Sequence, residues 1–309
     1  MDLYSIGEIL IDFLPGNEPG SYIRNAGGAP ANCAVAAARC GLDVGFCGLL
    51  GDDDFGWFLR RSLEENMVRV LCQRMTGEAV TTMAFVTLGE DGERTFTFAR
   101  KPGADMLLAV ADVRDADIHG SAIVHSGSCS LSKGPAADAT LHALRRGHEL
   151  GKLVSFDVNY RAMLWGGDSL AAARMVRKAL PYVSLLKTSD DETHLLGSDI
   201  PSLMEEFGIE LVVETLGAKG ACCYHRGHTL SAACPDVPRV VDATGAGDAF
   251  WGAFLASLVH QGVRQAGQLD AGIISRALRE GNVAGSLCVQ KKGAISSLPT
   301  RAQILLNVE

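Results

Sequence analysis

An α/β fold is predicted, with a central, mostly parallel β-sheet flanked by helices and a small β-sheet standing off it. Three observations carry that prediction. Strand-length apolar runs alternate with helix-length stretches along most of the 309 residues. Two of the strand-like runs, Leu10-Ile11-Asp12 and Leu153 to Asp157, end on a carboxylate, as strands do at the ligand-binding edge of a parallel sheet. Residues 11–26 and 79–105 interrupt the rhythm with hairpin patterning.

Residues 3–13 read as one strand entering the core. Asn25 to Ala29 is a turn. A helix follows from about Pro30 to Arg39, with proline at its start and Gly41 as its stop. Val44 to Leu50 is the next strand. Asp52-Asp53-Asp54 opens a helix to about Asn66; these acids lack the spacing of a calcium loop and suit a helix start. Val80 to Leu88 and Arg94 to Phe98 form a hairpin around Gly89-Glu90-Asp91-Gly92. Strands are then expected at Ile118 to Ser126, Leu153 to Asp157, Val183 to Lys187 and Glu210 to Leu216. Helices are expected at Gly134 to Gly151 and Leu170 to Leu180. His225-Arg226-Gly227-His228 reads as a hairpin turn rather than a metal-binding pair. Val237 to Val241, despite Pro238 and Arg239, is expected to lead as a strand into a glycine-rich turn, and Ala249 to Val259 continues as a helix. With no repeat and no low-complexity linker, residues 1–309 are expected to form one globular unit, with 11–26 and 79–105 standing off its sheet.

Composition excludes several function classes. The hydrophobic fraction of 47% supports a sizeable core and argues against disorder. A net charge of −8 disfavours nucleic acid or an anionic membrane as partner. No basic leader and no run of about 18 apolar residues occurs, so a soluble, cytoplasmic protein is expected. The nine cysteines are scattered without a C-x-x-C pair, which argues against a disulfide framework or a zinc site.

The chemistry concentrates in Asp242-Ala243-Thr244-Gly245-Ala246-Gly247-Asp248-Ala249-Phe250. A tight turn running into a helix start gathers backbone N–H groups on one positive surface, which suits a phosphate. Asp248 separates this loop from a generic phosphate cradle. A carboxylate beside an anion hole repels the anion unless it has a task, and the task that fits is taking a proton from a hydroxyl that attacks a phosphoryl group. Phe250 occupies the third glycine position of the dinucleotide fingerprint, and no G-x-x-x-x-G-K-[ST] occurs, so neither of those nucleotide loops is present. Read alone, Asp248 can also be a helix cap, Asp12 the start of a turn, and Gly27-Gly28 a plain turn.

The nine-residue stretch resembles the C-terminal signature of the ribokinase-like (PfkB) carbohydrate kinases. Gly27-Gly28-Ala29-Pro30-Ala31-Asn32 resembles the family's N-terminal signature. The two stand in the family's order with further matches between them, so the resemblance spans essentially the whole chain. It implies a ribokinase-like fold in which a small β-sheet lid covers the sugar. Asp248 is implied as the base, with Gly245, Ala246 and Gly247 forming the anion hole. Asp12, Gly27, Gly28 and Asn32 are implied to bind the sugar, the glycines by admitting the ring closely and Asn32 by offering both a donor and an acceptor.

Phe156-Asp157-Val158-Asn159-Tyr160-Arg161 resembles the F-D-P-N-x-R segment of the fructokinase branch, with Val158 in place of proline. Arg161 is thereby implied to pair with a phosphate near the transfer site; its plain alternative is a surface salt bridge. Lys187-Thr188-Ser189-Asp190-Asp191-Glu192 resembles the family's N-x-x-E motif, with Ser189 in place of asparagine. Lys187 and Ser189 then fall on the nucleotide side and Glu192 positions Mg²⁺ through water; an acidic helix start is the alternative. Thr215, Gly217 and Gly220 match the loop that admits ATP. Asp242 and Thr244, with Lys292-Gly293-Ala294, match positions that hold a monovalent cation such as K⁺. Phe98-Ala99-Arg100-Lys101-Pro102-Gly103-Ala104-Asp105 resembles the F-Y-R-x-P-G-A-D lid segment, with Ala99 where tyrosine is usual. Residues 98–105 are therefore expected to touch the substrate, with Ala99 leaving a gap.

The resemblance implies an ATP-dependent sugar kinase that transfers the γ-phosphate to a sugar primary hydroxyl. Fructose is the first substrate to expect, with an aminoimidazole riboside or 2-keto-3-deoxygluconate as alternatives. A silent sugar-binding regulator is the alternative from another class, and the presence of Gly245, Gly247 and Asp248 argues against it. The open lid edges make a lid-to-lid homodimer the expectation by family analogy.

Overall fold

A computed structural model describes residues 1–16, 18, 20–88 and 94–308. The expected Gly89-Glu90-Asp91-Gly92 turn lies outside the described residues. In chain order the strands begin with β1 (Leu3–Ile6), β2 (Leu10–Pro15), β3 (Tyr22–Gly27), β4 (Val44–Cys47), β5 (Leu50–Gly51), β6 (Val68–Val70) and β7 (Met75–Thr76). They continue with β8 (Met83–Leu88), β9 (Arg94–Ala99), β10 (Ile123–Gly127), β11 (Leu153–Asp157), β12 (Leu185–Ser189), β13 (Leu211–Thr215), β14 (Ala221–His225) and β15 (His228–Ala232). The helices are α1 (Ala29–Arg39), α2 (Asp54–Glu65), α3 (Asp115–His119), α4 (Pro135–Glu149), α5 (Ser169–Ala179), α6 (Asp190–Thr193), α7 (Ile200–Phe207), α8 (Ala246–His260), α9 (Ala271–Cys288) and α10 (Arg301–Leu305).

The large sheet has the order β15-β14-β13-β12-β11-β10-β1-β4-β6. It is parallel from β6 to β13, and the β14–β15 hairpin adds two antiparallel strands at one edge. Leu3, Ile123, Leu153, Leu185 and Leu211 face the layer of α1, α8 and α9. Their neighbours Tyr4, Val124, Val154, Leu186 and Val212 face the layer of α4, α5 and α7. Burial on both faces is why these strands are continuously apolar in sequence. Helix α8 is buried from Asp248 to Val259 on every side, which marks it as the central helix. Gly252 lets α1 cross it closely, since a Cβ there would stand 2.5 Å from the Ala36 Cβ.

A second sheet, β3-β2-β8-β9, stands apart. It is two antiparallel hairpins joined by the parallel pair β2–β8. It takes its strands from the two segments that break the β-α rhythm.

Several sequence expectations are corrected here. Residues 3–13 are two strands. The chain leaves the large sheet at Gly7, whose φ is 149° and where a Cβ would stand 2.2 Å from Ser130 Oγ. Asp12 therefore lies in the small sheet and not at the edge of the large one. Residues 115–119 form α3, and β10 starts only at Ile123, where pairing with Leu3 begins. The strand expected from Val80 begins at Met83, and the one expected from Val44 ends at Cys47. Residues 237–241 form no strand. Pro235 and Pro238 lack the N–H a ladder needs, and the N–H groups of Val241 and Asp242 bond to Val289 O instead, at 2.8 and 3.2 Å.

Candidate active site

The carboxyl ends of the parallel strands, the start of α8 and one face of the small sheet enclose a cleft of about 400 Å³. Asp12, Gly28, Asn32, Arg161, Lys187, Thr244, Gly245, Gly247 and Asp248 all line it. These residues span more than two hundred positions of chain, so the agreement is a property of the fold. Glu8, Phe98, Cys129, Asn159 and Met163 line it as well, and sequence reasoning assigned none of them to the site, although Phe98 fell within the expected lid contact.

Asp248 sits in the first turn of α8. Gly245 precedes that helix with φ 80° and no side-chain cap, so the helix presents bare N–H groups to the cleft. The Ala246 N–H turns back to Ala243 O at 3.3 Å, and Ala246 does not line the cleft, so its expected share of the anion hole is not seen. Asn32 Nδ2 donates to Asp248 Oδ2 at 2.8 Å. Asn32 is buried, and its Oδ1 has no hydrogen-bond partner among the described residues. Burial, reinforced by Asp157, pushes the Asp248 carboxyl up to about 6, against the pull of Asn32, Lys187 and Arg161. A carboxylate with that affinity for protons is matched to accepting one near neutral pH.

Lys187, on β12, reaches under the glycine turn. Its Nζ donates to both Asp157 oxygens, at 2.9 and 2.8 Å. A Cβ on Gly247 would stand 3.3 Å from that Nζ. Burial works against the Lys187 charge, and Asp157 overcomes it, so the ammonium is held. Arg161 donates Nη1 to Tyr160 O at 3.0 Å and forms no ion pair among the described residues, so the surface salt bridge is absent there.

Asp12 reaches the cleft from β2. A Cβ on Gly27 would stand 2.1 Å from Asp12 Oδ2, so glycine is what leaves room for the carboxylate. Gly28 has φ 109°, and a Cβ there would meet Glu8 O at 2.6 Å. Burial and then Asp248 push Asp12 up to about 7, with Arg161 pulling down. Asp12 pairs with Ala84, and Ala84 with Phe98, so all three share one face of the small sheet. Ala99 pairs with Met83 on the opposite face. The expectation that Ala99 opens space beside the substrate is therefore wrong, because side chains alternate along a strand and Phe98 holds the cleft side.

Of the residues expected on the nucleotide side, Lys187 lines this cleft, whereas Ser189, Thr215, Gly217 and Gly220 stand beside it, at and beyond the ends of β12 and β13. Ser189 and Thr215 are in register. Glu192 accepts the N–H groups of Ser189 (3.0 Å) and Tyr160 (2.7 Å), so Ser189 and Glu192 form a helix start that ties β12 to the Arg161 loop. Gly217 has open space around it. Gly220 is required by packing, since a Cβ would stand 2.1 Å from Ala232 O. Asp242 Oδ1 accepts from Thr244 N (2.9 Å) and Thr244 Oγ1 (2.6 Å), and Oδ2 accepts from Gly293 N (3.0 Å). This clasp closes the loop next to the anion turn. His225 Nδ1 bonds to Glu210 O at 2.8 Å, and no group of three His, Cys, Asp or Glu able to hold a metal occurs among the described residues. Among them no helix is long and apolar enough to cross a membrane.

A family model, "pfkB family carbohydrate kinase", matches residues 1–301. The chain belongs to the PfkB carbohydrate kinases. Among its relatives is the probable fructokinase-4 of Arabidopsis thaliana, 37% identical over 315 residues, covering 98% of this chain and 95% of the relative. The fructokinase of Vibrio cholerae O395 in its fructose-, ADP- and calcium-bound form is 32% identical with a TM-score of 0.89, covering 100% of this chain and 99% of that one. The aminoimidazole riboside kinase of Salmonella enterica, complexed with aminoimidazole riboside and an ATP analogue, is 30% identical with a TM-score of 0.87, each chain covered to 100%. A PfkB kinase uses ATP, and the cleft of this one gathers both signature segments around Asp248.

Glu8 and the Asp157–Lys187 pair were the main omissions from the sequence reading. Glu8 had a signal: it is the one acid within the apolar stretch from Leu3 to Ile11. The pairing of Asp157 with Lys187 had none, because adjacency of β11 and β12 brings it about.

Proposed function

We propose that this kinase transfers the γ-phosphoryl group of ATP to the primary hydroxyl of fructose. The observation that carries the reading is Asp248: a buried carboxylate, pushed up to about 6, at the uncapped start of α8 and bonded to Asn32 of the N-terminal signature. The sugar hydroxyl gives its proton to the Asp248 carboxylate. Its oxygen forms the bond to the γ-phosphorus while the bond to the bridging oxygen of ADP breaks. The N–H groups of Gly245 and Gly247 hold the phosphoryl oxygens in flight, and Lys187 adds positive charge beneath them. Asn32 Oδ1 accepts from a sugar hydroxyl, which satisfies a buried group otherwise unpartnered among the described residues. Asp12 accepts from the far hydroxyls.

Glu192 fits an outer role toward Mg²⁺, because each of its oxygens already accepts a backbone N–H group and Mg²⁺ keeps several of its waters. The ion, carried by ATP, neutralises the phosphates. Asp242 and Thr244 offer only oxygen donors, which suit K⁺. Thr215, Gly217 and Gly220 flank the nucleotide from the β13 end. A homodimer through the small sheet is part of the same reading. Phe13, Tyr22 and Phe85 form an aromatic cluster on its face away from Asp12, with Tyr22 46% exposed. Use of ATP fits a cytoplasmic site of action.

A coupled ADP-release assay over a panel of sugars tests the substrate. Fructose turnover well above that of the other sugars is expected. Turnover of an aminoimidazole riboside with none of fructose overturns the substrate, and no turnover with any sugar makes the protein a silent binder. Gel filtration with light scattering tests the dimer.

A further inference from the structure

We propose that Glu8 is a positioning residue for the sugar end of the reaction, clamping the turn that sets the separation of Asp12 and Asp248. The inference rests on the sugar-kinase reading above. Glu8 stands where the chain passes from β1 of the large sheet to β2 of the small one. It is 3% exposed and lines the cleft. It has no ion-pair partner among the described residues. Oε1 accepts the Ala29 N–H at 3.2 Å, Oε2 accepts the Ser130 hydroxyl, and the Glu8 N–H donates to Ser130 Oγ at 3.2 Å. A buried carboxylate held only by neutral donors is expensive. Burial pushes it up to about 7, although Ser130 and then Arg100 pull it back.

The contacts of Glu8 show what that expense accomplishes. Helix α1 begins after Gly28, which has no side chain to cap it, so Glu8 serves its first amide, that of Ala29, from another element. From that clamped point two short paths run in opposite directions. Toward the base, Asn32 lies one turn along α1 and donates to Asp248. Toward the lid, Gly27 lies against the Asp12 carboxylate and Gly28 against Glu8 O. The other end of the clamp, Ser130, belongs to the turn Ser128–Leu131. The residue that follows this turn ties the lid's far leg: Ser132 Oγ donates to Cys129 O at 2.7 Å and accepts from Arg100 Nη1 at 3.1 Å, just beyond β9. Glu8 thus fixes the sugar turn to the same support that carries both legs of the small sheet.

The test uses the full chain and the sugar it phosphorylates fastest. Glu8→Gln keeps the shape but turns one acceptor into a donor, so either the Ser130 hydroxyl proton or the Ala29 N–H loses the acceptor it donates to. Ser130→Ala removes the hydroxyl alone. The expected result is a rise of roughly tenfold in sugar KM for Glu8→Gln and a smaller rise for Ser130→Ala, with ATP KM changed less than about twofold. The double variant should be no worse than Glu8→Gln, because the two changes disable one clamp. A lowered melting temperature with sugar KM unchanged overturns the inference, as does an equal change in both KM values. If Glu8→Gln fails to fold, the same sugar-against-ATP split in Ser130→Ala decides. Sugar affinity by calorimetry gives the reading without turnover. Failure of the substrate reading is distinct, since it is seen in the unaltered protein alone.

Discussion

Replacing Asp248 with asparagine is expected to lower activity and raise stability together. Loss of a general base removes about 10²–10⁴ from turnover. The new amide oxygen still accepts the Asn32 Nδ2 hydrogen, so sugar affinity should hardly move. Stability follows from the proton affinity. Burial moves the Asp248 carboxyl from the ordinary 3.8 to about 6, so the folded chain binds that proton more tightly than the unfolded one. Stability is therefore lost as pH rises from about 4 through about 6, to a total of about 3 kcal/mol at pH 8. An asparagine does not titrate and avoids the loss. The variant should melt several degrees above the unaltered protein at pH 8 and close to it at pH 4, while a coupled assay at saturating sugar and ATP shows turnover down at least about a hundredfold. In the unaltered protein, kcat/KM should fall as pH drops through about 6. Turnover of Asp248→Asn within about tenfold of the unaltered protein would refute the assignment of the base.

Asp12→Ala should raise the sugar KM strongly and leave the ATP KM nearly intact, because Asp12 enters from the small sheet on the sugar side; steady-state kinetics in both substrates checks this, and a pure ATP defect would reverse the orientation of the site. Asp157→Asn replaces the carboxylate that holds buried Lys187 with a neutral amide offering one acceptor, leaving the ammonium without its counter-charge, an effect on the order of 3–5 kcal/mol seen by denaturant unfolding. It should also move the acid limb of kcat/KM to lower pH, because Asp157 is the charge that raises Asp248 most after burial. Ala99→Tyr should change the fructose-to-riboside ratio of kcat/KM by less than about twofold, as for an ordinary surface change, and a tenfold shift would mean that Ala99 faces the substrate after all.

The sequence by itself determined the local chemistry. The Gly245-to-Asp248 turn, the Gly27-Gly28 turn, the α/β rhythm and the small sheet's segments are written in residue types whose conformational preferences act over a few positions. Asp53 illustrates this: it caps α2 as its place before Asp54 implies, accepting from Gly56 N at 2.7 Å. Tertiary structure decided everything that depends on which strands lie side by side. Residues 3–13 look like one apolar strand, yet Gly7 divides them because Ser130 and Pro30 crowd the spot where a side chain would sit. Whether Phe98 or Ala99 faces the cleft follows from register with Ala84 and Met83, and a shift of one residue would reverse it. Lys187 meets Asp157 because β11 and β12 are neighbours, and Asn32 meets Asp248 because α1 packs on α8, 216 positions away in the chain. Such contacts are set by sheet order and helix packing, which no stretch of a few residues encodes.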